Sequence, residues 1–556
     1  MTRHSIFAAL GIAALALLAA CGGPRPADMV IMNGHVVTVD DAMPKAEAVA
    51  IAGDTIVAVG SMGDVRPYIG RHTQVIDAGG RLVIPAFIEG HGHFMGLGES
   101  KLELDLTKAR TWDEIVDMVA DAAAKAKPGD WIVGRGWHQD KWDHPPSPNQ
   151  LNLPIHTSLS ARTPDNPVFL THASGHMSFV NARAMELAGI TRETPNPSGG
   201  EIVRDSRGNA TGLLLETAQG IARIPLNQWR NQRTRDEIQA ERRRVVQLAG
   251  QEALSKGITT FHDAGEPFAT IDLFKQMAAD GNLPLRLYVM VGDNAVERMR
   301  DELPKYRMIG FGNNFLTVRA IKEYMDGALG SRGAWMLEPY DDDPSTSGLN
   351  TTSLDHIRRI ADLAIQYDFQ VATHAIGDRA NREVLNLYQA AFEGAGIDGK
   401  ARRWRIEHAQ HITLQDQPRF AQLGVIAAMQ AIHCTSDGPW VPQRIGDKRA
   451  REESYMWRNL IDSGAVVANG TDVPVEDTNP IPNFYAAVTR RMSNGKQFYP
   501  DQVMTREEAL RSYTINNAFA AFEEDIKGSI TPGKLADIDI LSKGSWPTST
   551  SCRRTS

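Results

Sequence analysis

Eight short apolar segments of strand type, most of them separated by sequence of helical period, constrain this chain more than any other feature. The first runs from Leu82 through Pro85 to His91. Seven more follow at 257–262, 284–291, 319–324, 370–374, 403–408, 424–430 and 465–472. Helix-period sequence lies between most of them, for example at 234–256 and 381–394. Parallel neighbours need long crossovers, and a helix is the usual one. Eight such units predict an α/β fold, a (β/α)8 TIM barrel.

The polar residues at the ends of these segments are of metal-binding type. His91 and His93 are spaced i, i+2, so both side chains share one face if the strand continues to its end. Two imidazoles on one face at a strand terminus can ligate one divalent metal. Alone, the pair is weak evidence, more often two unrelated loop histidines than a metal site, and the signal depends on partners further along. Lys322 lies in strand four, while His374, His408 and Asp472 close strands five, six and eight. In a barrel the C-terminal strand ends converge on one face, where catalysis occurs.

Residues outside these segments suggest further domains. The barrel takes 83–94 and 231–524. Between its first two strands, residues 95–230 read as an inserted cap domain, with strand-like runs at Trp131-Ile-Val-Gly134 and Pro167-Val-Phe-Leu-Thr171. His176, in Ser-Gly-His-Met, reads either as a substrate contact reaching down from the cap or as a core or loop histidine. Residues 29–82 alternate as β sequence, with hairpin signals at Asn33-Gly34 and Gly53-Asp54. A helix is expected over 505–522, after which Gly528 to Leu541 returns to β pattern. We expect 29–82 and 525–543 to form one small accessory β-sandwich from both chain ends.

The 556 residues suffice for a barrel with insertions, and the net charge of −8 gives no attraction to nucleic acid. Residues 1–21 read as a lipoprotein signal peptide: Arg3 and His4 precede an uncharged run from Ile6 to Ala20, too short to span a bilayer comfortably. Leu18-Ala-Ala-Cys21 resembles a bacterial lipobox, with Cys21 lipidated and 22–28 a tether; the other reading is an ordinary secretory signal. Gly22 after the cysteine points to the outer membrane, facing the periplasm, by the usual sorting rule. Cys434 and Cys552 are far apart, so no disulfide framework is expected. A homo-oligomer is allowed by the sequence.

Several motifs carry a family resemblance: Pro-Ala-Phe-Ile-Glu-Gly-His-Gly-His93, Lys322 before Asp326-Gly-Ala-Leu-Gly-Ser-Arg332, Thr-His-Ala-Ile-Gly-Asp378, Arg-Ile-Glu-His408, Gly-Thr-Asp472-Val-Pro-Val and Gly-Lys-Leu-Ala-Asp537. Over about 29–541 the chain resembles the metal-dependent amidohydrolase superfamily, in its amidohydrolase family 3 branch. The resemblance implies two zinc ions. His91, His93 and Asp472 would hold one, His374 and His408 the other, and Lys322 would bridge them as a carbon dioxide-derived carbamate. A mononuclear site with Lys322 as a free amine is the alternative. The implied activity is hydrolysis of carbon–nitrogen bonds other than peptide bonds in small amide or N-acyl substrates. A metal-activated hydroxide would attack, and Asp472 would serve as general base and then general acid. His176, Trp137 and Arg332 are candidate substrate contacts; Arg332 suits a substrate carboxylate, or equally a salt bridge that shapes its loop.

Two departures stand out. Ala86 replaces the usual Gly after Pro85, a mild change. Residues 544–556 form a polar, Ser/Thr-rich tail without β alternation, where relatives continue into strands, and we read it as a frameshifted or truncated terminus. Rival readings are a deaminase or cyclic-amide hydrolase on the same barrel, and a non-catalytic binding lipoprotein. The full His, Lys and Asp set argues against the last.

Overall fold

A computed structural model describes residues 24–150, 152–293 and 295–542. The signal segment with Cys21 and the 544–556 tail lie outside the described residues. The chain divides into two units, one ending at Ala86 and resuming at Phe522, the other Phe87–Ala521.

The first unit holds two four-stranded sheets. Gly53-Asp54 joins two antiparallel strands, Ala48–Ala52 and Thr55–Gly60. Asn33-Gly34 does not make the expected hairpin. Asn33 takes a left-handed φ of 55°, but the strands on either side enter different sheets. Met29–Met32 pairs with Ala48–Ala52, whereas His35–Val37 pairs with Leu82–Pro85. Ile538–Ile540 adds antiparallel to Leu82–Pro85. Ile31, Val49, Ile56 and Val83 share one buried core.

The second unit contains eight parallel strands in sequential order: β1 (Phe87–Gly92), β2 (Ile258–Glu266), β3 (Arg286–Val291), β4 (Leu316–Tyr324), β5 (Gln370–Ala375), β6 (Arg405–His408), β7 (Ile426–Met429) and β8 (Val467–Asn469). They form a nearly closed TIM-barrel-like α/β sheet. β8 ends at Asn469 rather than Asp472. The Glu89 carboxylate accepts from the Thr471 hydroxyl at 2.9 Å and also from its backbone N–H, and so draws the chain off the ladder. Asp472 then takes φ 58°, and its N–H donates to His91 O at 2.8 Å.

Side chains and a helix break fill the seam between β1 and β8. The expected helix over 505–522 is two helices, Arg506–Ser512 and Ile515–Ala520. The break frees the Tyr513 carbonyl to accept from Ile88 N at 2.9 Å. Asn517 Nδ2 donates to Ile88 O at 2.7 Å and to Asn469 O at 2.8 Å. A strand edge without a neighbour is thus satisfied by an amide.

Residues between β1 and β2 carry a six-stranded mixed sheet of their own. Period-two alternation gives it two apolar faces. Ile132, Val168, Leu170 and Leu213 lie in one core, while Phe169, Val180, Ile202 and Leu214 lie in another. Three helices matter below: α1 (Phe94–Ser100), α2 (Gln219–Arg230) and α3 (Arg235–Leu254). Thr234 and Glu237 form a capping box that starts α3 and leads the chain back into the barrel.

Candidate metal centre

His91 projects from the end of β1 and is fully buried. Its Nδ1 hydrogen-bonds the Glu407 carboxylate, which fixes the proton on Nδ1 and leaves the Nε2 lone pair facing inward. His93 has left the strand and caps α1. Its Nε2 lies 3.3 Å from Asp472 Oδ1, and His91 Nε2 lies 3.6 Å from the same oxygen. His408 would point outward on a regular strand, directly after Glu407. A φ of 73° turns it in. Gln430 Oε1 accepts from its Nδ1 at 2.8 Å, again leaving Nε2 free. His374 ends β5, its ring centroid 4.4 Å from that of His408, which in turn is 4.7 Å from that of His91. His91, His408 and Asp472 each present a donor atom within 4.8 Å of the others.

Hydrogen bonding leaves a specific remainder. His91 Nε2, His374 Nε2, Lys322 Nζ and Asp472 Oδ1 are buried with no hydrogen-bond partner among the described residues. Each of these four orphans would carry a desolvation penalty. Imidazole nitrogens, a carboxylate oxygen and an amine are donors that a divalent cation satisfies, so the residues fit a metal. Burial holds the His91, His374 and His408 imidazoles well below the ordinary histidine range, in the neutral, ligating form. Burial also pulls the Lys322 ammonium down to about 8, against the opposing pull of Glu407 and Asp472.

Supporting groups that sequence reasoning missed are also in place. Arg405 Nε donates to Glu407 Oε1 at 2.6 Å and Nη2 donates to Gly90 O at 2.7 Å. Asp326 accepts from Ile376 N, Gly377 N and Trp335 N at 3.0, 2.8 and 2.8 Å, fixing the loop after His374. The only hint in sequence was charge in strand β6: Arg405 and Glu407 are i, i+2, which puts both on one face of a buried strand.

The cluster opens into a cavity of about 930 Å³. His176 lines it, its Nδ1 2.7 Å from Glu216 Oε2 and its ring 5.2 Å from that of His374. Two other expected substrate contacts do not line it. Trp137 is fully buried in the inserted sheet's core, where its indole N–H donates to Leu170 O at 3.0 Å. A register shift between Arg135 and Trp137, at Gly136 with φ 102°, turns it from the Val133 and Arg135 face into the core that holds Ile132. Arg332 is engaged in a two-point pair with Asp342, at 3.1 and 2.9 Å, so of its two readings the loop-shaping salt bridge is the observed one.

A model of the amidohydrolase family matches residues 74–548. The chain belongs to the amidohydrolase family. As a member, this amidohydrolase is a hydrolase of carbon–nitrogen bonds. It is similar to N-substituted formamide deformylase from Arthrobacter pascens, at 28% identity over 93% of both chains. It is also similar to the Arabidopsis thaliana protein LONG AFTER FAR-RED 3, at 33% identity over 94% of this chain and 88% of that one. Among solved structures it resembles an uncharacterized metal-dependent hydrolase from Pyrococcus horikoshii, with a TM-score of 0.71 and 27% identity over 93% of this chain and 97% of that one.

Proposed function

We propose that this amidohydrolase cleaves small N-acyl amines, formamides among them, at a two-zinc centre. His91, His93 and Asp472 would hold one ion and His374 and His408 the other, with Lys322 bridging as a carbamate. The observation that carries this reading is the set of four buried donors, unpartnered among the described residues, in and around the cluster of His91, His408 and Asp472. Bridging suits Lys322, whose buried amine lacks an acceptor among the described residues and is pulled down to about 8, so that a fraction is the neutral amine that reacts with carbon dioxide. When bound, the ions supply Lewis-acid polarisation of the scissile carbonyl and a nucleophilic water at neutral pH.

The chain's own groups do the rest. Asp472 takes the proton from the attacking water and returns it to the leaving nitrogen as the C–N bond breaks, giving an acid and an amine. His176, held by Glu216, is placed to hydrogen-bond the substrate across from His374. The cavity accepts molecules of ordinary metabolite size. The similarity to a formamide deformylase supports formamides as first substrates.

Metal content of protein lacking residues 1–21, wild type and Lys322→Ala, tests the centre. Two metals per chain falling to one or none, with formamide hydrolysis lost to chelators, is the expected result. A folded, metal-free protein after incubation with zinc and bicarbonate would overturn it. We also propose lipidation of Cys21 and anchoring in the cell envelope, read out by the mass of the N-terminal fragment.

A further inference from the structure

Away from the histidines, the cavity wall is charged. It includes Arg135, Arg223, Arg230, Glu99 and Glu103. Glu103 is paired with Arg230 at 3.3 Å. Arg135 and Arg223 are different: among the described residues, neither has a carboxylate within 4.0 Å. Arg135 leaves strand Ile132–Trp137 and is oriented by neutral groups, with Nη2 donating to Ala173 O at 3.0 Å and Nε to Pro474 O at 3.4 Å. Two backbone carbonyls hold the guanidinium without cancelling its charge. Pro474 lies two residues beyond Asp472, so one loop carries both the reacting carboxylate and a support of this guanidinium. Nη1 borders Gly175, next to His176, at 4.0 Å from where a Cβ on that glycine would lie.

Arg223, on α2, stands with its Cζ 5.1 Å from the centroid of the Phe169 ring. A guanidinium stacked on an aromatic face keeps its hydrogen-bonding edge free. Burial brings the Arg135 guanidinium down only to about 10, so it stays charged at neutral pH. Burial pushes the Glu99 carboxyl up, which weakens it as a counter-ion. Two cations without a carboxylate partner among the described residues, both facing the cavity, favour an anion brought by the ligand.

We propose that Arg135 and Arg223 form a carboxylate subsite, so that the preferred substrate is an amide carrying a carboxylate at the end remote from its scissile bond. The inference rests on the hydrolase reading only for what happens at the other end of the molecule.

The probes are ω-formamido acids of two to six carbons and n-alkylformamides of matching length, with metal-loaded wild type, Arg135→Gln, Arg223→Gln and Arg135→Lys. Calorimetry gives Kd, and amine release gives kcat/KM. The acids should bind wild type about tenfold tighter or better than the neutral partners. Each Gln variant should weaken acid binding by about ten- to a hundredfold, as expected for loss of a charge-assisted hydrogen bond. The acid-to-neutral ratio should collapse, and Arg135→Lys should restore part of it. Should Arg135→Gln unfold, Arg223→Gln decides, since the Arg223 side chain holds up no neighbour by a hydrogen bond among the described residues.

Equal affinity for acids and neutral amides would overturn the subsite while leaving the hydrolase reading intact if either is cleaved. So would acid binding indifferent to both Gln variants in folded protein. Acid-selective, arginine-dependent binding without turnover would uphold the subsite and count against formamide hydrolysis. No acid binding at all would overturn the subsite.

Discussion

His91 Nδ1 and the Glu407 carboxylate are hydrogen-bonded although 316 residues separate them, and both side chains are buried. The contact orients the His91 ring, and Arg405 in turn holds the carboxylate. Second-layer carboxylates of this kind tune metal affinity by about 10–100-fold. Glu407→Gln should therefore release metal to a competing chelator at about 10–100-fold lower concentration. Glu407→Ala should also destabilise the fold, by about 3–5 kcal/mol, because it strands the buried Arg405 charge. Chelator titration and denaturant melts read the two effects separately. Unchanged metal affinity in Glu407→Gln would remove the orienting role.

Asp472 should be needed for turnover more than for folding. Its Oδ1 has no hydrogen-bond partner among the described residues, and its backbone is held independently through His91 O. Asp472→Asn keeps the shape and loses the proton acceptor, so kcat should fall by about 10²–10⁴-fold. Its melting temperature should stay within a few degrees of the matching metal-free wild type. Near wild-type turnover at full metal occupancy would assign proton transfer elsewhere.

The eight barrel strands were legible because each is a short apolar run whose neighbours have helical period. The clustering of the histidines was legible because they are rare residues placed at strand ends. What escaped was anything set by contacts distant in sequence. No local pattern says that Glu407 meets His91, or that His408 reverses its φ to join the inward face. Trp137 looked like a binding-site aromatic because it sits in a Gly- and His-rich stretch, yet a register shift at Gly136, which no local pattern announces, turns it off the Val133 and Arg135 face into the inserted sheet's core. Asn33-Gly34 has the composition of a hairpin turn. Whether the strands beside it pair is decided by which sheet each joins.

Gly90 should tolerate no side chain. A Cβ there would lie 2.4 Å from Asn469 O and 2.5 Å from Asn517 Oδ1, the groups that close the barrel seam. One of these is backbone and cannot rotate away. Gly90→Ala should cost at least about 1–3 kcal/mol by overpacking, and it should displace the adjacent His91. A lower denaturation midpoint together with weaker metal binding is expected. Wild-type stability would mean that the seam can open without loss.

Acid should destabilise the protein partly through His411. Burial pulls this imidazole down to about 3, and its Nδ1 lies 2.9 Å from Ser454 Oγ. In the unfolded chain it titrates near 6.5. The unfolded state therefore binds the extra proton between those values, so this contribution is complete above about 6.5 and is lost as pH falls toward 3. His411→Asn retains a polar group toward Ser454 but cannot protonate. Its melting temperature should fall less steeply than wild type between pH 7 and 4. Parallel slopes would assign acid sensitivity to other groups.

Metal removal should loosen the barrel as well as abolish activity. In the apoprotein, His91 Nε2, His374 Nε2, Lys322 Nζ and Asp472 Oδ1 stay buried without hydrogen-bond partners among the described residues. A ligand that binds only the folded state stabilises it by about 2.7 kcal/mol at a hundred times its Kd. Chelated protein should therefore melt several degrees lower, and zinc should restore the difference. Lys322→Ala removes one of the four orphans. Its apo form should suffer less than wild type from lacking metal, and it should gain less when zinc returns. Equal gains in the two proteins would show that Lys322 takes no part in the metal-bound state, and the bridging carbamate would have to be abandoned.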